Sequence, residues 1–482
     1  MIAEVLAGKA PNPEFPATRV MAIHEFVPLV HEIMPEKLLD GTKDDILLPD
    51  LKPSENRALV ELRAKLEDAI VNNRFPKPEN DWKNATQYVA PIQNTSERTQ
   101  LAKLPGESKN SKIIENKGIE LWGVPLLPSL GHEGADIILM KFLKARDFKA
   151  SEAFDMLRKT LIWRKEFRID DALDEEYGEG LESVAYMNGT DRKGHPICYN
   201  SYGAFHDKVL YQKAFGSEEN CEKFMRWRFQ FLEKSIKKLK FKAGEVHSML
   251  QITDLKNSPG PSKKELRAAT KKAILLLQDN YPELVAKNVF VNVPFWYYAF
   301  NAVLSTILTQ RTTSKFIFAR PSRVMETLLK FIAPEDIPIK YGGFKRENDE
   351  EFSSINGAVS KSRVKGRATE TIQFHAPMAG FTFVWDVTVV GGEVSYKEEF
   401  IPEDEGSYIV LIQKEKKITT FEEPIRNSFH ISEPGKVVIT IDNSTFWKKI
   451  ILYRTKSKRT VIPGSHRELS FSDPYAFRGI EL

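Results

Sequence analysis

The run from Asn288 to Gln310, NVFVNVPFWYYAFNAVLSTILTQ, contains no Asp, Glu, Lys or Arg, in a chain where these four types make up 28% of residues. A stretch of this kind spans a bilayer, lies in a core, or covers something apolar. A helix needs about 20 apolar residues to cross the hydrocarbon, and the run has that length. Its content argues against a span: Asn288, Asn292 and Asn301 interrupt it, and Pro294 divides it. Before Pro294 the residues favour a strand. After it they favour a helix, with proline at the start, where its missing N–H is not needed. The helix PFWYYAFNAVLSTIL is apolar nearly all round, with Trp296, Phe300, Val303 and Ile307 on one stripe and Phe295, Tyr298 and Ala302 on others. A helix flanking a sheet normally keeps one wet face. Exposing about six such side chains to water would cost on the order of 9–18 kcal/mol. The segment therefore stays shut in water and opens where hydrocarbon receives it. The expectation is a movable lid, Phe295 to Leu308, over a lipid pocket; the alternative is an ordinary buried strand and helix of an α/β core.

The rest of the composition narrows the function classes. A chain of 482 residues predicts more than one domain. A net charge of +4 is small for this length and does not suggest a nucleic-acid binder. Two cysteines, Cys198 and Cys221, cannot frame a disulfide scaffold, which fits a reducing compartment. The N-terminus has Glu4 and no sustained apolar core, so it does not read as a signal peptide. In a cytosolic chain the glycosylation patterns at Asn84, Asn94, Asn188 and Asn443 are accidental. There is no phosphate-cradling glycine loop, no GxSxG elbow and no zinc-ligand spacing. His247 and Asp254 flank one strand at an odd separation and so point to opposite faces. The expectation is a non-enzyme, with no catalytic residue, no metal and no cofactor. The stretch FMRWRFQF mixes basic and aromatic residues, but on a helix its aromatics serve the core.

Patterning divides the chain into segments. Residues 1–118 read as largely disordered or linker, with one amphipathic helix near 55–72 that places Leu59, Leu62, Leu66 and Ile70 at helical spacing. Residues 119–180 read as a helical subdomain, from DIILMKFLKARDF and SEAFDMLRKTLIWRKEF. Residues 181–345 alternate strands (PICYN, HSMLQITDL, NVFVNV, SKFIFA) with helices, which predicts a mostly parallel sheet with helical crossovers. Residues 346–370 are polar and carry no apolar period, which reads as a linker. Residues 371–460 alternate in short strands around turns such as Gly391-Gly392, which predicts an all-β sandwich. Residues 461–482 are a tail.

These segments carry a family resemblance. From WGVPLL at Trp122 to IKYGGF ending at Phe344, the landmarks KFLKARDF, DRKGHPICYN, QITDLKN, QDNYPE, NVFVNVPFW, TQRTTSKFIFA and EDIPIKYGG occur in one order. This segment resembles the CRAL-TRIO lipid-binding domain with its helical N-terminal extension. The C-terminal FVWDVTVVGGEVSYKEEF and VITIDNSTFWKKIILYR look like a GOLD domain. The combination resembles the patellin family, peripheral phosphoinositide-binding proteins of membrane trafficking. The implied fold class is a helical subdomain, an α/β CRAL-TRIO domain with a mixed, mainly parallel sheet, and an all-β GOLD sandwich. The implied location is cytoplasmic and peripheral to membranes.

The resemblance also implies headgroup ligands. Phosphatidylinositol-transfer members hold the inositol phosphate at positions that match Arg146, Glu283, Thr312 and Lys315. The chemistry suits them: Arg146 can fork onto a phosphate, Lys315 supplies a point charge, and Glu283 and Thr312 can bond inositol hydroxyls. Each also has a plain reading, since Arg146 ends a helix and can satisfy its terminal carbonyls. Asp147 follows Arg146 where some relatives are basic, which weakens the local positive field. Relatives that bind phosphatidylcholine carry Ser-x-Thr where this chain has Met249-Leu250-Gln251, so those hydroxyls are missing. A simple two-lipid exchange is not expected.

A basic tract, Lys448, Lys449, Arg454, Lys456, Lys458 and Arg459, could meet an anionic leaflet at about 1 kcal/mol per charge. It could equally be a solvated sheet edge guarded by lysine. The expected partners are a phosphoinositide or other lipid in the pocket, an anionic membrane surface, and trafficking proteins on the GOLD-like domain. Nucleic acid is not among them. The alternatives are a trafficking adaptor with a vestigial pocket, or a carrier of a different small hydrophobic ligand.

Overall fold

Why a polar-looking N-terminal stretch should hold a well-packed helix is answered by what its apolar stripe meets. The computed structural model describes residues 51–72, 74, 119–259, 263–294, 310–352 and 358–459. It divides into two units, Met1–Ile332 and Ala333–Leu482. Helix α1 (Pro53–Val71) begins on a proline in its first turn, and the Glu55 carboxylate accepts the Lys52 backbone N–H at 3.0 Å. Its stripe of Leu59, Leu62, Leu66 and Ile70 is buried in one core with Ile138, Phe142 and Leu157. These belong to α2 (Glu133–Ala145) and α3 (Ala150–Glu166). Arg63 pairs with Asp136 across this contact, and Glu67 accepts the Ser129 N–H at 2.9 Å. This corrects the division by sequence at residue 119: α1 is part of the helical subdomain, because its apolar stripe completes that core.

The motif WGVPLL forms a tight hairpin, β1 (Glu120–Leu121) with β2 (Val124–Pro125), and Trp122 and Gly123 turn the chain at φ 54° and 76°. A left-handed backbone is uncommon for a bulky residue. Here Trp122 is held by its ring, stacked with Phe142, Phe241 and Tyr281 at 6.4, 5.9 and 6.2 Å.

Five strands form the sheet of the first unit. They are β3 (Ala185–Thr190), β4 (Pro196–Ser201), β5 (Met249–Asp254), β6 (Val285–Val291) and β7 (Phe316–Phe318), in that spatial order. Only β3 and β4 are antiparallel; the pairs from β4 to β7 are parallel. The sheet is mixed and mainly parallel, as expected. Asp191 builds the β3–β4 turn, accepting the N–H groups of Lys193 and His195 at 2.9 and 2.8 Å. Helices α4 (Lys208–Phe215), α5 (Glu218–Ile236) and α6 (Lys264–Asn280) pack beside it. In α5 the aromatics of FMRWRFQF serve the core, with Phe224, Trp227 and Phe229 all buried. The short helices α7 (Gln310–Thr313) and α8 (Val324–Leu328) flank β7 in sequence.

The second unit is a sandwich of two antiparallel four-stranded sheets. Its strands are β8 (Ser360–Val364), β9 (Ala368–Ala376), β10 (Phe381–Val390), β11 (Glu393–Pro402), β12 (Val410–Thr419), β13 (Ile425–Ile431), β14 (Gly435–Asn443) and β15 (Lys449–Arg459). One sheet runs β13-β10-β15-β8 and the other β12-β11-β14-β9. Gly391 and Gly392, at φ 103° and 124°, carry the chain from one sheet to the other. The expected linker at 346–370 is corrected here. It supplies β8 and the start of β9, and Asp349 bonds Arg426 and Arg454. Strand β8 reads SKSRV, an edge strand with only Val364 buried, so it has no apolar period to detect.

Candidate functional site

In a parallel strand, alternate side chains share one face, and the register says which of them meet. Two rows cross the sheet of the first unit. Cys198, Gln251, Asn288 and Phe316 are paired in sequence from β4 to β7, and Asn200, Thr253, Phe290 and Phe318 form the next row. Seven of these eight residues line a cavity of about 770 Å³, within the usual range of small-molecule sites. The opposite wall comes from α5 and α6, including Met225, Phe229, Ala273, Ile274 and Leu277.

Charge gathers where the chain leaves α6. Tyr281 is fixed first: its hydroxyl donates to Glu233 Oε1 at 2.7 Å, and Glu233 is paired with the buried Arg164. Glu283 then takes a left-handed backbone, φ 56°, and its carbonyl accepts Lys141 Nζ at 2.8 Å. Its carboxylate lies against two cations. Oε1 accepts Arg311 Nε at 2.6 Å, and Oε2 accepts Arg311 Nη2 at 2.9 Å and Lys315 Nζ at 2.8 Å. Lys315 Nζ also donates to Val285 O at 3.0 Å. Burial alone would raise the Glu283 pKa. The hydrogen bond from Arg311 and the charges of Lys315 and Arg311 outweigh it and hold the carboxyl at about 2.

Arg146 stands at the end of α2, half-buried on the cavity wall, and Nη1 donates to Ala145 O at 3.0 Å. The plain helix-end role is thus present alongside the cavity position. Arg146, Glu283 and Lys315 all line the one cavity. Thr312 lies in α7, and its side chain is outside the described residues. Glu283 and Lys315 were expected as headgroup ligands; in this structure each is bonded to the other. Arg311 was missed by the sequence reading. Its signal was a second cation four residues before Lys315 in TQRTTSK. The lid residues Phe295, Trp296, Phe300, Val303 and Ile307 lie outside the described residues. Among the described residues no helix is long and apolar enough to cross a membrane, and no cluster of His, Cys, Asp or Glu is placed to hold a metal.

The basic tract of the second unit does not form one surface. Arg454 is 4% exposed and donates to Asp386 Oδ2 at 2.8 Å, Asp349 Oδ2 at 3.0 Å and Phe344 O at 2.9 Å. Lys449 is buried on Gly391 O, Lys456 donates to Glu351 O at 2.6 Å, and Lys458 pairs with the Glu351 carboxylate. Lys448 and Arg459 alone of the six are both exposed and without a carboxylate among the described residues. Beside Lys448 the β14–β15 loop displays Phe446 and Trp447, 74% and 79% exposed. Buried Asn443 shapes that loop, donating to Lys365 O and Trp447 O at 2.9 Å each. Arg367 lies 3.9 Å from the Phe446 ring centroid. Burial of Asn443 also removes it as a glycosylation acceptor in the folded unit.

A CRAL/TRIO domain followed by a GOLD domain is the class this architecture defines. Family models match in the same order: "CRAL/TRIO, N-terminal domain" over residues 58–159, "CRAL/TRIO domain" over 182–343, and "Patellin-1-like, C-terminal GOLD domain" over 365–449. The chain belongs to the patellin family. It is 40% identical to Patellin-3 of Arabidopsis thaliana over 430 residues, 88% of this chain and 79% of that protein. It is 57% identical to Patellin-4 of the same plant over 343 residues, which is 71% of this chain and 62% of Patellin-4. The "Phosphatidylinositol transfer protein SFH5" of Meyerozyma guilliermondii is 29% identical over 47% of this chain and 68% of its own length.

Proposed function

We propose that this chain is a non-enzymatic lipid carrier or presenter, which takes a phosphoinositide or another hydrophobic lipid into the cavity of its first unit. The carrying observation is the cavity itself, an apolar wall with Arg311 and Lys315 gathered on Glu283 at one pole and Arg146 also on the wall. Arg and Lys beside one another suit a phosphate, the first as a fork and the second as a point charge. The name of the Meyerozyma guilliermondii relative, a phosphatidylinositol transfer protein, supports the same reading. A headgroup phosphate entering this pole displaces Glu283 from its cations, and Thr312 and Glu283 then turn to the inositol hydroxyls. The lid segment 295–308 opens on the bilayer.

The second unit contacts the membrane from the cytosolic side and receives trafficking proteins. Its contact is the tip of the β14–β15 loop rather than the whole basic tract. Trp and Phe at a loop tip, flanked by Lys448 and Arg367, suit the interface of an anionic leaflet.

The test is native mass spectrometry of the full chain after exposure to liposomes containing phosphatidylinositol and its phosphates. A bound lipid is expected, weakened in Lys315→Ala, Arg146→Ala and Arg311→Gln with folding intact. An empty cavity sinks the carrier reading and leaves an adaptor.

A further inference from the structure

A parallel sheet covered on both faces is normally apolar along its strands, yet β4 and β5 turn Asn200, Gln251 and Thr253 into the cavity. Some of this polarity is consumed locally: Thr253 Oγ1 donates to Asn288 Oδ1 at 2.8 Å. Gln251 has no side-chain hydrogen bond among the described residues. Above Asn200 stands Arg228 of α5, also on the cavity wall, half-buried. Its Nη2 donates to Asn200 Oδ1 at 3.0 Å, and its guanidinium lies 5.7 and 5.6 Å from the ring centroids of Trp227 and Phe231.

No carboxylate answers this cation among the described residues. Several arginines of the same unit do have one, although Arg146 and Arg267, which also line the cavity, have none within ion-pair distance among the described residues. Arg63 has Asp136, Arg164 has Glu233 and Asp170, Arg226 has Glu175, and Arg311 has Glu283. Cys198, on the same wall, supplies no anion either, since burial pushes its thiol up to about 11 against the pull of Arg228. A guanidinium has five donors, and the bond to Asn200 leaves the others without a protein acceptor among the described residues. Holding a charge there without an anion is costly.

We infer that Arg228, with Asn200 and Gln251, forms a second anion subsite on the cavity floor, which takes the carboxylate or phosphate group of an amphiphile whose chain lies along the apolar wall. The subsite is separate from the Glu283 pole. Asn200 is on β4 and Lys315 precedes β7, three strand spacings away, or roughly 14 Å across the sheet. The inference rests on the cavity being a lipid site, and it assigns that cavity a ligand acidic at a second point.

The test uses the full chain and four probes: palmitate, hexadecyl phosphate, neutral hexadecanol and inorganic phosphate. Each competes against a bound fluorescent alkyl probe. Wild type is expected to prefer the two acidic amphiphiles over hexadecanol by about tenfold or more, the worth of a charge-assisted hydrogen bond. Arg228→Met should erase that preference while binding hexadecanol as before, and Arg228→Lys should keep part of it. A preference that survives in Arg228→Met overturns the inference. Equal loss of hexadecanol in a folded Arg228→Met protein assigns Arg228 to packing and also overturns it. Inorganic phosphate competing as well as hexadecyl phosphate replaces the amphiphile with a free ion. Wild type that binds no probe at all, hexadecanol included, refutes the lipid cavity itself.

Discussion

Glu283→Gln should destabilise the first unit by about 3 kcal/mol at neutral pH, and acid should erase the difference. The carboxyl falls from an ordinary 4.5 to about 2 because Arg311 and Lys315 surround it. A displacement of that size is worth ~3 kcal/mol of folding free energy. The group is largely buried, at 12% side-chain exposure, so solvent does little to weaken the contact. A depressed carboxyl stabilises fully above its unfolded pKa, and the contribution is lost as pH falls from about 5 toward 2. Glutamine cannot ionise, so the variant should show none of that slope. Because the chain has two units, a single whole-chain melting curve would mix them. Urea unfolding of the full chain, read by pulsed hydrogen exchange in β5 and β6 peptides, isolates the first. The gap between wild type and variant should be about 3 kcal/mol at pH 7 and close to zero at pH 2. A gap below ~0.5 kcal/mol at pH 7, or one constant down to pH 2, would show that the pair does not hold this part of the fold.

Leu62→Ala on α1, at a fully buried position, should lower the stability of the first unit by ~2–5 kcal/mol; an effect under ~0.5 kcal/mol by the same exchange measurement would detach α1 from the core. Arg454→Met should cost the second unit ~1.5–3 kcal/mol, because it removes the more buried of two arginines shared by Asp386 and Asp349 and leaves Arg426 to hold both. Lys458→Ala, on the surface of the same strand, should cost under ~1 kcal/mol, and equal costs in exchange from β10 and β15 peptides would refute the distinction. Phe446→Ser with Trp447→Ser should weaken sedimentation with anionic vesicles and leave the circular dichroism unchanged. Unchanged sedimentation would remove the loop tip as the membrane contact.

Much of the architecture was legible because strands and helices announce themselves by different periods. HSMLQITDL and NVFVNV became β5 and β6, and the β-rich C-terminus became a sandwich. What periodicity cannot say is which partner covers a buried face. The stripe of α1 was visible, but its place beside α2 and α3 depends on residues many positions away. Strand β8 was invisible for the opposite reason: a polar edge strand is held by backbone pairing to β15, to which side-chain pattern is blind. The site shows the same limit. Motif positions located Arg146, Glu283 and Lys315 on one cavity, yet nothing local indicated that Glu283 would be bound to Arg311 and Lys315. Likewise, Arg454 and Arg459 look alike in a basic tract. Only the return of Asp349, more than a hundred residues earlier, buries one and leaves the other exposed.

The carboxylate at the cationic pole also bears on what the cavity would not attract. Glu283 is the resident counter-ion of Arg311 and Lys315, so under the proposed function binding there would be ion exchange rather than simple capture. A small soluble anion must compete with a partner already fixed at close range, and it brings no chain to bury in return. An amphiphile brings its own driving force, because burial of its hydrocarbon along α5 and α6 adds to whatever its headgroup gains. On the proposed function, the pole would thereby disfavour the phosphates of bulk solution and still respond to one delivered on a lipid. Its salt sensitivity should be shallow for the same reason, since the exchange releases a protein carboxylate rather than a cloud of mobile ions.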